Sequence, residues 1–263
     1  MVVENADVVG EQLDKAVIYE DVDVLVLNKP VGLLVHADGV TKDPTVVDWF
    51  IRRVPEASGV GEERVVTNVS NVLDRSGVVH RLDKDTSGVL VLCKNQASHE
   101  HCKQQFHDRL TSKCYQAIVY GTMPDWRGTI DRKIGRSAKD WRKRSAERGA
   151  KGTLREAVTH WEVVTEGKVD GERFTALYLR PETGRTHQLR VHTKAVGRPI
   201  VGDIWYAGAR YTQSHNLGLK RLALHAHTLV IDLPTVGKIT LTAPTPPELQ
   251  QAVQRIAGVG ELW

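Results

Sequence analysis

The chain has few of the features that mark secreted or membrane-spanning proteins. Its 263 residues include only three cysteines, Cys93, Cys102 and Cys114. Because their number is odd and their spacing gives no metal-binding pair, we expect reduced thiols that fill space. No apolar run approaches the length of a membrane span, and the chain does not open with a basic segment followed by an apolar one. These absences predict a soluble, cytoplasmic protein with no membrane partner.

Signals for a bound cofactor are also lacking. The chain contains no glycine-rich phosphate-binding fingerprint, so we predict no nucleotide cofactor. Its eleven histidines include His225 and His227, which share one face of a predicted strand. No glutamate or cysteine lies at a matching ligand spacing, so we expect structural histidines and no metal site.

The charge of the chain is unevenly distributed. The net charge is only +4, but between Arg127 and Arg155 eleven lysines and arginines face three acids, which gives this segment a net charge of +8. Charge runs are often merely solvated faces. Here glycines and the tryptophans Trp126 and Trp141 interrupt the run, which favours an exposed loop or hairpin that contacts a polyanion.

The order of the predicted elements indicates the fold class. With 41% hydrophobic and 26% charged residues, the chain is typical of a globular protein that buries a core. Strands dominate and helices are inserted between them irregularly, so we predict an α/β protein of the α+β type. It would have a bent mixed, mainly antiparallel sheet with flanking helices and loops. Strands are predicted near 17–27, 115–120, 158–165, 174–179, 222–233 and 238–241, and helices at 46–54, at 95–109, from within the segment 181–192 to Gly197, and after Pro246.

The segment from Val78 to Leu92 is the strongest candidate for a functional site. Two apolar runs that read as strands flank a short polar loop with two carboxylates, an arginine, a lysine and a histidine. Folding gains little from so many charges in so small a space, and function concentrates on loops held by a rigid scaffold. Taken alone, Asp83 could equally be a turn former whose carboxylate accepts backbone hydrogen bonds.

The whole segment resembles the signature of the RluA-type pseudouridine synthases. That signature reads His-Arg-Leu-Asp followed after two residues by Thr-Ser-Gly, and here it stands unbroken as residues 80–83 and 86–88. Further segments match the family's other motifs in order: Asn28-Lys29-Pro30-Val31-Gly32 with His36 (the first motif), Lys113-Cys114-Tyr115-Gln116-Ala117, Thr183 to His192 with Gly197 to Asp203 (the third motif), and Leu224-His225-Ala226. The resemblance therefore extends from about residue 17 to residue 250.

The resemblance implies a reaction and the residues that perform it. Pseudouridine formation needs an ionised carboxylate beside the sugar and base but no redox change or group donor, so no cofactor is expected. The implied catalytic residues are Asp83 as the carboxylate, Tyr115 against the uracil and Arg190 as the partner that keeps Asp83 charged; Arg185 is the alternative for that partner. The implied substrate-binding residues are His80, Arg81, Leu189 and Arg185.

The implied substrate is a structured RNA, either rRNA or tRNA. The basic segment would then be an RNA-contacting arm whose candidate contacts are Arg136, Lys139, Trp141, Arg142, Lys143 and Arg144. We expect residues 1–16 to be a short N-terminal extension, with about the first ten residues frayed, and residues 17–263 to be one catalytic domain with a basic insertion at about 127–155. No N-terminal RNA-binding module is evident in the sequence, and we expect a monomer.

Two other functions fit parts of the pattern. The first is a non-catalytic RNA-binding relative that acts in RNA assembly, against which the intact set of Asp83, Tyr115 and Arg190 argues. The second is a glycoside-cleaving enzyme that uses Asp83 and Asp85 as paired carboxylates. On a tight loop that spacing need not place the two groups across a sugar, and the segment from Thr183 to His192 would remain unexplained.

Overall fold

A computed structural model describes residues 6–61, 65–67, 71–208, 211, 216–258 and 263. The chain divides into two compact units. The first unit comprises Met1–Ser112 and Thr228–Pro244, and the second comprises Lys113–His227 and Thr245–Trp263. Among the described residues, no helix combines the length and the apolar character needed to cross a bilayer.

The first unit is built on antiparallel strands with helices beside them. Its strands are β1 (Val17–Glu20), β2 (Val24–Lys29), β3 (Val65–Thr67), β4 (Asn71–Leu73), β5 (Ser87–Cys93), the second part of β13 (Leu224–Leu233) and β14 (Gly237–Thr242). Its helices are α1 (Ala6–Asp14), α2 (Val46–Arg53) and α3 (Gln96–His107), with a 3₁₀ turn at Pro55–Ala57. The strand order is β1-β2-β5-β13, with β14 on β13, while β3 and β4 form a separate pair.

Local sequence explains most of these elements. The runs in β2 and β5 are apolar without alternation because both faces of these strands are buried. Thr45 and Asp48 form the capping box that starts α2, and the side chain of Asn95 accepts the Ser98 N–H at the start of α3. The core of the unit packs valines of β2 and β5 against Leu229 and Ile231.

The prediction that about the first ten residues are frayed was wrong for residues 6–10, the described part of that range. Residues 6–14 form helix α1, whose Val9 and Leu13 are buried. This helix lies against α2, and the Trp49 indole nitrogen donates to the Asp14 carboxylate at 3.2 Å. Tertiary burial therefore stabilises a helix that is too short to persist alone.

The second unit has a larger antiparallel sheet and a smaller one. Its strands are β6 (Ser112–Tyr120), β7 (Arg127–Asp131), β8 (Ile134–Arg136), β9 (Arg144–Ser145), β10 (Lys151–Arg155), β11 (Val158–Val169), β12 (Glu172–Pro181) and the first part of β13. Its helices are α4 (Gln188–Ala195) and α5 (Pro247–Ala257). The larger sheet has the order β13-β6-β12-β11-β7, and the smaller has the order β10-β8-β9.

Close packing of α5 on β11 depends on one glycine. A Cβ atom at Gly167 would lie 2.1 Å from the carbonyl oxygen of Ile256. Only glycine lets the strand and the helix backbone approach this closely. The core of this unit lies between α5 and the sheet and includes Leu177, Leu249 and Val253.

The basic segment has more regular structure than the predicted loop or hairpin. It contributes β7 at one edge of the larger sheet and all three strands of the smaller one. All five residues of β10 are exposed, so the segment is an exposed feature of the second unit, as expected from its charge.

Candidate active-site loops and basic surface

Asp83 lies on a tight loop of the first unit that runs into β5. Val78 bridges to Leu92, and the Cys93 N–H donates to the Gly77 carbonyl at 2.9 Å, which fixes the start of the loop against the strand. A turn closes where the Thr86 N–H donates to the Asp83 carbonyl at 3.1 Å. Asp83 itself is half-buried. The carboxylate therefore lies on a backbone that is held at both ends.

A buried lysine ties this loop to the first motif. Lys29, at the end of β2, has no exposed surface. Its ammonium donates to the carbonyls of Pro30 at 2.7 Å, Leu33 at 2.9 Å and Lys84 at 3.2 Å, and the Gly32 N–H donates to the same Lys84 carbonyl at 2.8 Å. A buried charge is tolerated only when it is hydrogen-bonded in this way. The sequence alone gave Lys29 a place in the first motif but no role. Its position two residues after the apolar run 24–27 was a signal that its charge could be buried.

The His80 side chain contacts β5 and α3 within the first unit. Its Nε2 accepts the Val91 N–H at 2.9 Å, so the neutral ring carries its proton on Nδ1. The ring also stacks on Phe106 of α3, with centroids 4.7 Å apart. These contacts place the predicted substrate-binding residue between the loop, β5 and α3.

Arg81 is exposed and is joined to a buried histidine. Its Nη1 donates to His36 Nε2 at 3.1 Å, while His36 Nδ1 donates to the Ala37 carbonyl at 2.8 Å. Burial lowers the pKa of His36, and the positive charge of Arg81 lowers it further. The neutral ring can therefore accept the arginine's hydrogen bond.

The third motif begins helix α4 in the second unit. The Gln188 side chain accepts the Thr183 hydroxyl at 2.7 Å and the Arg185 N–H at 3.0 Å, and it donates to the Val158 carbonyl at 2.9 Å. Arg185 Nε donates to the Glu156 carbonyl at 3.1 Å. Leu189, the predicted apolar floor, is buried in this first turn of the helix.

Arg190 forms a buried, two-point ion pair with Asp203. Its Nε and Nη2 donate to the two carboxylate oxygens at 2.8 and 2.9 Å, and the side chains are 4% and 0% exposed. Asp203 Oδ1 also accepts the N–H groups of Trp205 and Tyr206 at 3.0 and 3.1 Å. The guanidinium lies 5.1 Å from the centroid of the Tyr206 ring. The sequence alone did not identify Asp203 as the partner of Arg190, although Asp203 lies in the third motif.

Tyr115 lies in β6 of the second unit. It is paired in register with Leu179 of β12, is partly buried and packs against the core of the unit. The pairing of Arg190 with Asp83, and the meeting of both with Tyr115, stay predictions from the resemblance.

The predicted RNA contacts all lie on the second unit but differ in their partners. Arg142 makes two hydrogen bonds to the Asp140 carboxylate, and Lys143 donates to the Trp205 carbonyl at 2.9 Å. Arg144 and Arg136 are register partners on β9 and β8. Trp141 is 73% exposed, and Lys139 lies on the exposed turn between these strands.

The described residues contain no group of three or more histidine, cysteine or acidic side chains placed to hold a metal ion. His225 is buried, and its ring centroid lies 6.2 Å from that of His227. Cys93 and Cys102 are free and buried, and Cys114 is free and half-buried.

Comparison with known proteins gives consistent matches. The family model described as RNA pseudouridylate synthase matches residues 23–195. An RNA pseudouridine synthase of Bacillus subtilis is 37% identical over 254 residues, which cover 96% of this chain and 76% of that protein. The ribosomal large subunit pseudouridine synthase D of Xanthomonas campestris is 37% identical over 91% of this chain and 69% of its own length. The solved structure of human RNA pseudouridylate synthase domain containing 1 superposes with a TM-score of 0.70 at 28% identity, covering 96% of this chain and 89% of that one.

Proposed function

The chain belongs to the RNA pseudouridylate synthase family, of the RluA type, and is an enzyme that isomerises uridine in RNA; we propose that Asp83 is its catalytic carboxylate. The observation that carries this assignment is the unbroken family signature on a loop held at both ends by strand contacts and by the Lys29 ammonium. A catalytic group needs such fixed placement, since small displacements of reacting groups cost large factors in rate.

The reaction sets the task of this carboxylate. The bond from the ribose to the uracil ring nitrogen breaks, the base rotates, and the same sugar is rejoined through a ring carbon, whose proton is transferred to the ring nitrogen. Atoms and electrons therefore balance without an oxidant or a group donor, and we propose that no cofactor takes part. Asp83 would act in its ionised form, either as a nucleophile or as a base that abstracts a proton.

Four other side chains have proposed roles around the base. Tyr115 would lie against the uracil, and Leu189 would form the apolar floor on its other side. Arg190 would keep Asp83 ionised, and its two-point bond to Asp203 supports this role because it fixes the guanidinium. Arg81 would occupy the space vacated when the uridine leaves its stack, a step that costs a few kcal/mol.

The proposed substrate is a structured ribosomal RNA. The relative in Xanthomonas campestris is named for the large ribosomal subunit, and the basic surface of this chain fits a polyanion. Trp126 and Trp141, which are 64% and 73% exposed, would stack on splayed bases. Transfer RNA is the alternative substrate, and we propose that the chain acts as a monomer.

Replacing Asp83 by asparagine tests the assignment. We expect pseudouridine formation in ribosomal RNA to be lost, because the amide is neither a base nor a nucleophile of useful strength, while RNA binding is retained. The measurement is pseudouridine mapping in cells that carry the variant, with RNA binding by the purified protein measured in parallel.

Asp85→Asn is the matched control, since it removes the other carboxylate of the same loop. It should leave the pseudouridine pattern intact. An unchanged pattern with Asp83→Asn, or equal loss with both variants, would contradict the assignment of Asp83.

A further inference from the structure

The second unit contains a cavity of about 420 Å³ lined by four arginines, Arg136, Arg144, Arg155 and Arg185. We call it the arginine pocket. Thr153 and Gly184 also line it. Its residues come from the smaller sheet and from the loop before α4. Its volume falls within the range of about 300–1,000 Å³ typical of ligand sites, so the pocket has room for more than a single bound ion.

The strand register places like charges side by side. Arg136 on β8 is the direct partner of Arg144 on β9, and on its other side it is the partner of Lys151 on β10. Directly opposed residues point to the same face, with Cβ atoms about 4.5–5.5 Å apart, and opposed like charges destabilise a sheet. The protein alone gains nothing from this row of cations.

Carboxylates do not neutralise the pocket. Within the part of the chain that the structure describes, none lies at ion-pair distance from any of its four guanidinium groups. Cations just outside the pocket do have such partners: Lys133 pairs with Glu156 at 2.7 Å, and Arg142 pairs with Asp140 at 2.9 Å. The pocket therefore brings together four guanidinium groups that no carboxylate neutralises.

We propose that the arginine pocket binds consecutive phosphodiesters, at least two, of the RNA strand on which the enzyme acts. This inference rests on the proposed function, because it takes RNA as the ligand. Planar guanidinium groups bind phosphate oxygens with two parallel hydrogen bonds, and each phosphodiester brings one negative charge. Four guanidinium groups without a carboxylate partner therefore match more than one phosphate. A Cβ atom at Gly184 would meet no neighbour within 4 Å, so the pocket is open beside this residue.

The test measures how salt affects RNA binding. Each phosphate neutralised on a single strand contributes about −0.7 to the slope of log K against log salt concentration. In an Asp83→Asn background, where turnover does not interfere, the double variant Arg136→Gln/Arg155→Gln should flatten this slope by about 1.4 for a labelled single-stranded oligoribonucleotide. The matched control, Arg127→Gln/Lys133→Gln, removes two cations paired with carboxylates and should leave the slope unchanged.

A second pair of variants adds charge without removing an arginine. Thr153 is exposed on β10, so both glutamate and glutamine can replace it without disturbing the core. Thr153→Glu should weaken RNA binding by more than about tenfold at low salt, and by more than Thr153→Gln does, because glutamine changes the same side chain without adding a charge. Unchanged melting curves would confirm that all of these variants are folded.

Three results would overturn the proposal. The first is an unchanged slope in the pocket double variant, and the second is equal flattening in the control, which would indicate a diffuse basic surface. The third is that inorganic pyrophosphate binds to the pocket without competing with RNA, which would indicate a free phosphorylated ligand. In any of these cases pseudouridine formation by the unmodified chain would still support the proposed function, so the two failures are distinguishable.

Discussion

Replacing Asp203 by asparagine should reveal how strongly the fold depends on the orientation of Arg190. The Asp203 carboxylate accepts two hydrogen bonds from the Arg190 guanidinium and two from backbone N–H groups, all between 2.8 and 3.1 Å. Asparagine has nearly the same shape, but one of its two terminal atoms donates instead of accepting. In the variant, the asparagine NH₂ group therefore faces an N–H donor of Arg190 or of the backbone, at a position that is almost free of solvent.

The expected loss of stability is large because both partners are buried. Removing one member of a buried ion pair leaves an uncompensated charge and typically costs about 3–5 kcal/mol. The exposed pair Arg180–Glu162, also 2.8 Å long, has side chains 44% and 35% exposed. Exposed pairs contribute about 0–1 kcal/mol, so Glu162→Gln is a matched control in the same unit.

The assay is urea unfolding of the three proteins, followed by the pseudouridine rate of the folded variants. We expect Asp203→Asn to lower the free energy of unfolding by about 3–5 kcal/mol and to lower kcat more than it raises KM, since Asp203 is a positioning residue. A loss below about 1 kcal/mol, similar to that of an exposed pair, would refute the reasoning. The double variant Arg190→Met/Asp203→Asn should recover part of the lost stability without recovering activity, because it removes the uncompensated charge while the asparagine oxygen can still accept the N–H groups of Trp205 and Tyr206.

Two further predictions concern the first unit and the buried histidines. Thr86→Val should change the free energy of unfolding by less than about 0.5 kcal/mol, because the buried Thr86 hydroxyl has no hydrogen-bond partner among the described residues. Thr45→Val should cost about 1 kcal/mol by removing the capping box, and equal urea midpoints for the two variants would contradict this contrast. Burial lowers the pKa values of His36 and His192 from the ordinary 6.5, so the folded chain binds these two protons less readily than the unfolded chain does. The free energy of unfolding should therefore fall as the pH drops below about 6.5. The variant His36→Gln should show a smaller fall. A urea midpoint that does not change between about pH 7.5 and about pH 5.5 would refute the prediction.

Elements with strong local signals were predictable from the sequence. Thr45 and Asn95 offered cap side chains before helical patterns, and both caps are formed as predicted. The apolar runs that became β2 and β5 lack alternation because both faces are buried, so their length and flanking turns identified them.

Elements that depend on tertiary contacts were not predictable in this way. Helix α1 has only two buried residues, Val9 and Leu13. It is stabilised by contacts with α2, which cannot be predicted from its own nine residues. The strands of the smaller sheet are two to five residues long and largely exposed. They show no apolar alternation, so their glycines and charges predicted a loop or hairpin instead.

The same distinction between local signals and tertiary contacts applies to the residues of the candidate site. Asp83 and Arg190 were predicted as site residues from the resemblance of their motifs to those of the family, whereas the residues that support them were not predicted. Asp203 lies thirteen residues after Arg190, and the Lys84 carbonyl that Lys29 binds lies fifty-five residues after that lysine. Such pairings depend on the tertiary fold, so they cannot be predicted from the spacing of residues in the sequence.

Two classes of charged residue in this chain fit different tasks. Lys29, Arg190 and Asp203 are buried and fully engaged by hydrogen bonds, so they fix backbone and side chains and are little affected by salt. Arg136 and Arg155 are exposed and have no carboxylate partner in the described part of the chain, so their field extends into solvent and is screened within about 10 Å at 0.1 M salt. Salt should therefore act on RNA binding through the second class while leaving the catalytic geometry unchanged. For this reason the salt slope tests the arginine pocket, and the unfolding free energy tests the Arg190–Asp203 pair.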